Sequence, residues 1–237
     1  MKRPTPALRT WPLIGLGSAI VLALTALMWL TGTPNQRPPA PEDFPWHVEL
    51  VAPDTLRIFG LTLGVSTVAD AELRFREAVT PGLFRQQDGT LAAEAYCERV
   101  RLAGLQAKVV LGIAASEEDL QAMLARSPGV IPASQGKRVL LTEGDETWLR
   151  KQPIVSLTYL PSARPPESTF VQHFGPPATR IEEPMDGGLA IHLLYPRIGL
   201  DITLSEGHKP VLQYVRPVDF EKLIRPLQLA EKGNKPR

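Results

Sequence analysis

Between Arg9 and Arg37 the chain carries no charge, and inside that stretch Trp11 to Leu30 reads WPLIGLGSAIVLALTALMWL. At about 1.5 Å of rise per residue, a helix over this run covers roughly the 30 Å hydrocarbon core of a bilayer. Lys2, Arg3 and Arg9 precede it, whereas the near downstream side offers only Arg37 before Glu42 and Asp43. The positive-inside rule then leaves the N-terminus in the cytoplasm and carries the rest of the chain across the membrane. A cleaved signal peptide is the rival reading, but its apolar region is about 7–15 residues long and ends in small residues. Here the run is longer and ends in Met28, Trp29 and Leu30. No cysteine follows it to take a lipid, and Trp11 and Trp29 stand near its two ends, where indole rings favour the headgroup region.

This feature orders the chain into three parts. Residues 1–31 are a cytoplasmic tip and transmembrane anchor, meeting the lipid bilayer through residues 11–30. Residues 32–46 are a linker, with five prolines between Thr33 and Pro45. In the polyproline II form, at about 3.1 Å per residue, it reaches ~40 Å at most and holds the downstream domain near the membrane surface. Residues 47–237 are long enough for one sizeable core without staples. The expected location is the inner membrane as a single pass, with the C-terminal domain in the periplasm.

The charge of that domain limits its partners. After Trp46 there are 22 basic and 23 acidic residues, with no basic run longer than two. A nucleic-acid partner, which calls for a basic face, is therefore not expected. The single cysteine, Cys97, can form no intramolecular disulfide.

Local signals set out an α+β domain of antiparallel strands and short helices. HVELV and LRIFGLTL, between His47 and Leu63, alternate like two strands around a Pro53-Asp54 turn. Thr67 with Asp70 three residues on forms a capping signal, and Val68, Ala71 and Phe75 fall at helical spacing. After an Asp88-Gly89 turn, LAAEAYCERVRLAGLQAKVVLGI reads as two or three strands, with a helix over Leu91 to Val100 as the alternative. Ser116 before three acidic residues starts a helix through Leu120, Met123 and Leu124, stopped by Pro128-Gly129. A strand is expected around Val139 to Thr142, a helical turn from Asp145 to Lys151, and a strand from Ile154 to Leu160.

The stretch ESTFVQHFGPP places Phe170 and Phe174 one turn apart. Gly175 is free to take a left-handed end position, and Pro176-Pro177 forbid continuation. ATRIEE, LAIHLLY, GLDITLS and VLQYV then read as a four-strand antiparallel meander turning at Asp186-Gly187-Gly188 and Glu206-Gly207. Pro217 opens a last helix, VDFEKLI, that Pro226 is expected to end, and the polar tail from Ala230 is expected to fray. Phe75 and Phe174, Asp88-Gly89 and Asp186-Gly187, and RLAGLQAKVVL and PRIGLDITLS recur at nearly constant offset, which suggests repeat units over 60–112 and 166–216.

GLTLGVSTVADAELRF and STFVQHFGPPATRI, each followed by strands, resemble the helix and antiparallel-sheet unit of the SmpA/OmlA (BamE-like) family of small assembly lipoproteins. Related tandem units occur in β-lactamase-inhibitor proteins. The resemblance implies helices packed on one face of an antiparallel sheet, possibly two such units in tandem, serving as a protein-binding module. The chain departs from the family in lacking a lipidation cysteine and in having Arg76 where the second copy has Gly175. No functional residue carries over.

Several side chains invite a chemical reading. Cys97 with His173 or His192 would make a thiolate–imidazole pair, but no motif surrounds it. His47, His173, His192 and His208 lack metal-ligand spacing. Glu117-Glu118-Asp119, Asp145-Glu146 and Glu182-Glu183 are the paired carboxylates that glycan cleavage would use. The first group also suits a helix N-terminus, and the other two read as solvated turns. Tyr159, Tyr195 and Tyr214 are placed to line a groove or to cap a core with their hydroxyls in water. Nucleotide-binding and serine-hydrolase glycine motifs are missing. The sequence therefore assigns no catalytic, cofactor-binding or metal-binding residue. It points to a noncatalytic module that binds another envelope protein through sheet edges, with LTLGV or VLQYV as the candidate strand, or through the groove between the two repeat units. The alternative is an envelope hydrolase acting on peptidoglycan or another glycan through paired carboxylates.

Overall fold

The structure is a computed structural model that describes residues 40–52, 54–133, 136–185 and 188–233, with side chains through 228. The expected anchor at 11–30 and the first part of the linker lie outside these residues. Among the described residues no helix is long and apolar enough to cross a membrane.

The chain is α+β, with antiparallel strands and short helices. β1 (Val48–Ala52), β2 (Thr55–Ile58) and β3 (Leu61–Thr62) form a small sheet. LRIFGLTL is thus not one strand but a hairpin. Phe59 and Gly60 take φ of 51° and 76°, the pair of positive angles that a two-residue turn between strands of normal twist requires. α1 (Val68–Phe75) follows. Its Thr67 side chain accepts from the Asp70 amide at 3.2 Å while Asp70 accepts from the Thr67 amide at 2.8 Å, and Val68, Ala71 and Phe75 are its buried stripe.

Next come β4 (Thr80–Arg85), β5 (Leu91–Leu102) and β6 (Leu105–Ile113), so the helical alternative over Leu91 to Val100 does not occur. Its apolar residues alternate with period two, which suits a strand with one face in the core. β5 turns into β6 through another two-residue turn with both φ positive, Ala103-Gly104. α2 (Glu117–Ala125) is capped by Ser116 and Asp119. β7 (Val130–Pro132), β8 (Lys137–Val139) and α3 (Glu143–Arg150) come next. The strand expected to reach Thr142 ends at Val139, because Thr142 is taken up as the N-cap of α3.

β9 (Ile154–Pro161) and α4 (Glu167–Phe174) lead into the meander of β10 (Thr179–Met185), β11 (Gly188–Tyr195), β12 (Leu200–Ser205) and β13 (Val211–Val215). α5 (Phe220–Gly233) closes the chain and runs through Pro226. A proline inside a helix costs a hydrogen bond, but Phe220, Ile224 and Leu227 form one apolar stripe buried against the sheet, and that stripe holds the helix past the proline.

The large sheet has the order β10-β11-β12-β13-β9-β6-β5-β4-β8-β7, antiparallel throughout. Eight of its ten strands make two four-stranded meanders, each led by a helix, and β8 and β7 extend it beyond β4. α1 leads β4-β5-β6-β9 and α4 leads β10-β11-β12-β13, joined at a seam where β9 pairs with β13. The first meander draws its last strand from beyond residues 60–112, after an insertion that carries α2, β7, β8 and α3.

The main core lies on the face that bears α1 to α4. It takes Leu83, Ala95, Leu111 and Leu157 from the first meander, and Leu193, Ile202, Leu212 and Tyr214 from the second. The end of the expected linker belongs to this core. Pro45 is buried, and the Tyr214 hydroxyl donates to its carbonyl at 2.7 Å. Arg74 Nη2 of α1 meets Asp43 Oδ1 at 2.6 Å.

Candidate functional site

Strand alternation gives the sheet a second face, here called its back. In β5, Ala93, Ala95 and Cys97 point into the core while Ala92, Glu94 and Tyr96 point back. Beside them lie Phe84 of β4, Val110 of β6, Thr158 and Leu160 of β9, and Val211 and Gln213 of β13. The back-facing residues are half-buried, and all of them but Ala92 line a depression of about 1060 Å³, with the β4–β5 turn as its rim.

Gly82 makes room for the most prominent of them. A Cβ there would come within 2.9 Å of the Phe84 ring, which lies over the strand and meets the Tyr96 ring edge-on at 5.2 Å. The Tyr96 hydroxyl donates to Glu94. Burial, reinforced by that carboxylate, raises the phenol well above its ordinary pKa, so it stays protonated. Lys108 pairs with Glu98 at the exposed margin, 2.5 Å apart. At the far end, β7 presents Val130 and Ile131, 44% and 43% exposed, on a strand paired only with β8.

The back of the second meander is covered. α5 packs Phe220, Ile224 and Leu227 on Leu194 and Val215. Beside it, His192 Nδ1 lies 2.9 Å from Asp201 Oδ2 and 3.3 Å from Thr203 Oγ1, and His192 Nε2 lies 3.2 Å from Glu183 Oε2. Burial by itself lowers the imidazole pKa. The two carboxylates outweigh it and leave the group raised, as befits a ring that donates from both nitrogens. Asp201 Oδ1 is buried without a hydrogen bond among the described residues. The hydroxyl of Thr203 approaches the same nitrogen as the aspartate, so the three groups lack the order of a nucleophile–base–acid relay.

Cys97 is 1% exposed and burial raises its thiol pKa, the reverse of what a nucleophile needs. His173 stacks on Trp46 and His192 is held by Asp201 and Glu183, so neither serves the thiol.

The paired carboxylates are not brought together. Glu182 pairs with Arg180 at 2.6 Å, and Glu183, on the opposite face of β10, turns to His192. Asp145 is not in a solvated turn. It is 4% exposed and bound by Arg126, whose Nε donates at 3.0 and 3.1 Å and which holds the carboxyl below its ordinary pKa. Asp119 is engaged in its cap.

The three tyrosines are buried, and their hydroxyls are not in water. Tyr195 donates to the Gly175 carbonyl at 3.0 Å, Tyr214 donates to Pro45, and Tyr159 has no partner among the described residues. VLQYV cannot offer a free edge either, since β13 is paired on both sides. The open edges of the large sheet are β10 and β7.

Sequence reasoning passed over Phe84, Tyr96 and Val110. Their signal is that the first meander carries apolar or aromatic side chains on both faces of its strands, more than one buried face requires. Comparison of the chain with protein-family models, curated proteins and solved structures gives no match.

Proposed function

We propose that the chain is a noncatalytic, membrane-tethered module of the bacterial envelope, held by residues 11–30 with its domain in the periplasm. On this reading it binds one protein partner through the back of the first meander. The observation that carries the reading is the depression around Phe84 and Tyr96, uncovered among the described residues, on a sheet whose other half is covered by α5. Aromatic residues at the centre of a patch with charges at its margin are the composition of a protein contact. At about 1060 Å³ the depression reaches the upper end of small-molecule sites, roughly 300–1,000 Å³, and it is open and mixed in polarity, with Glu94, Thr158 and Gln213 beside the rings, which suits a projection of a folded partner that carries both apolar and hydrogen-bonding groups. The placing of Glu182 and Glu183 on opposite faces of β10 and the engagement of Asp145 and Asp119 speak against these four as the acid and base of the hydrolase alternative.

Site-specific photocross-linking in the native cell tests this. A photoreactive residue in place of Tyr96 in the full chain should give one discrete protein adduct, and the same residue at Leu73, which is 78% exposed on α1, should not. The Phe84→Ala, Tyr96→Ala double variant should lose the partner while staying folded. Lack of an adduct at Tyr96, or a partner that survives the double variant, overturns the reading.

A further inference from the structure

The large sheet ends at β10, and among the described residues no strand pairs with its outer side. The Ala178 N–H donates to the Leu194 carbonyl at 2.9 Å, so Leu194 turns its backbone groups toward β10. In an antiparallel pair these groups alternate in direction along the strand. His192 and Ala190 therefore face β10 as Leu194 does, and their partners Thr179, Ile181 and Glu183 face back. Arg180, Glu182 and Pro184 direct their backbone groups outward. Pro184, which has no N–H to offer, stands in that outward set, where it costs the ladder nothing.

The N–H and C=O groups of Arg180 and Glu182 thus form a template on which another strand can be laid. Side chains sort by the same alternation. Ile181 packs beside α5 on the back of the sheet. Arg180 and Glu182 are exposed on the opposite face, with Arg180 Nη1 2.6 Å from Glu182 Oε1 and Arg180 Nε 3.4 Å from Glu167 Oε1 of α4.

The order of these residues makes the strand complementary to itself. Turned antiparallel about a two-fold axis at Ile181, β10 sets Arg180 opposite Glu182 of a second copy and Glu182 opposite Arg180 of that copy. Both positions face outward, so the same residue pairs that exchange backbone hydrogen bonds also bring opposite charges together. On the axis Ile181 meets its own copy. Moving the axis by one residue sets Arg180 against Arg180 or Glu182 against Glu182, and like charges directly opposite are destabilising. A foreign strand need not carry this order, whereas a second copy carries it by construction.

We propose that β10 binds β10 of a second copy of this chain in that register, making a two-fold dimer whose sheet continues across the axis. The interface lies at one end of the sheet, away from Phe84 and Tyr96, and it stands whether or not the back of the first meander binds a protein.

The test co-expresses full-length chains carrying two different tags and captures one through the other. Wild-type chains should capture each other. Arg180→Glu alone and Glu182→Arg alone should each lower self-capture about tenfold, because both cross-strand pairs become like-charged. The Arg180→Glu chain mixed with the Glu182→Arg chain should recover capture, since opposite charges then face each other only between chains. Within each chain positions 180 and 182 still repel, so a role confined to one chain predicts no recovery. In a second arm, Ile181→Cys should give a disulfide-linked dimer on mild oxidation, because facing residues at a non-hydrogen-bonded position stand about 4.5 Å apart at Cα, within disulfide reach. Leu73→Cys, exposed on α1, should not. Absence of wild-type capture, full self-capture by either single variant, or no recovery in the mixed pair overturns the interface. Linkage missing at position 181, or equal at 181 and 73, overturns the register and with it the proposal.

Discussion

The two meanders are alike on their core faces and unlike on their backs. Each presents alternating apolar residues to a leading helix, α1 or α4, and each adds its last strand to the central seam. Behind the second meander lies α5. Behind the first lies a depression lined by half-buried Phe84, Tyr96 and Val110. The difference comes from where the chain goes after each meander. From β13 it turns through Pro217–Asp219 and lays an amphipathic helix across the back. The first meander's insertion between β6 and β9 places α2 and α3 on the core face and β7 and β8 on the sheet edge, and from β9 the chain goes on to α4 on the core face, so among the described residues nothing returns to cover the back. A half-buried surface of two aromatic rings among polar groups, left on one half of a symmetric plan, is where a partner is to be sought.

The sharpest way to break this comparison is to treat the two backs alike. Phe220→Ala removes a ring that is 3% exposed from beneath α5 and should cost about 3–5 kcal/mol of stability, read from the midpoint of urea unfolding. Phe84→Ala on the open back should cost only about 1 kcal/mol. Equal losses would mean that the first back is as much a core as the second.

The ends of the leading helices give a smaller contrast. α4 ends at Gly175 with φ 80° and ψ −178°, a region open only to glycine, and not in the left-handed helical conformation expected from the sequence. No atom crowds its absent side chain, so the backbone alone sets the cost of replacing it. Gly175→Val should destabilise by about 1–3 kcal/mol. α1 ends at Arg76 with φ 54° and ψ 33°, which an L-residue tolerates at a cost. Arg76→Gly should therefore raise stability, by up to about 1 kcal/mol. Thermal melts that move both variants in the same direction would refute the distinction.

The least effect is expected from pH. His192 sits beside α5 against Asp201 and Glu183, with Thr203 nearby, and its pKa is raised in the folded state. The stabilisation is complete below the unfolded value of about 6.5 and is lost as the pH rises through the higher folded value. Stability should thus fall as the pH is raised across that interval, and Asp201→Asn should flatten the slope. A wild-type curve that rises there would contradict the pairing.

Much of this architecture was legible in the residues because the signals are local. Thr67 with Asp70 and Ser116 with Asp119 cap the helices they announced, and ESTFVQHFGPP forms a helix ending at the glycine. The alternation of LAIHLLY and GLDITLS gives the strands of the second meander. Each of these depends on contacts within a few positions. The exceptions are also physical. Phe59-Gly60 turns a hairpin where an unbroken apolar alternation suggested one strand, and the stripe on α5 overrides Pro226. His192 looked isolated because its partners sit nine residues away on either side and meet it only across the strands.

Read alone, the residues establish the kind and place of most elements between His47 and Ile224, and the absence of any chemical motif among them. Tertiary structure decided which strand stands beside which, and therefore every feature of the sites. Only the pairing of β9 with β13 puts Tyr159 beside Leu212. Only the packing of the segment before β1 brings Pro45, 169 residues away in sequence, under the Tyr214 hydroxyl. Only the path of α5 covers one back and, among the described residues, leaves the other bare. Caps, turns and alternation are written within a few residues because they rest on backbone geometry and nearest neighbours. Cavities and open faces arise from which distant surfaces meet, and no short stretch of chain encodes that.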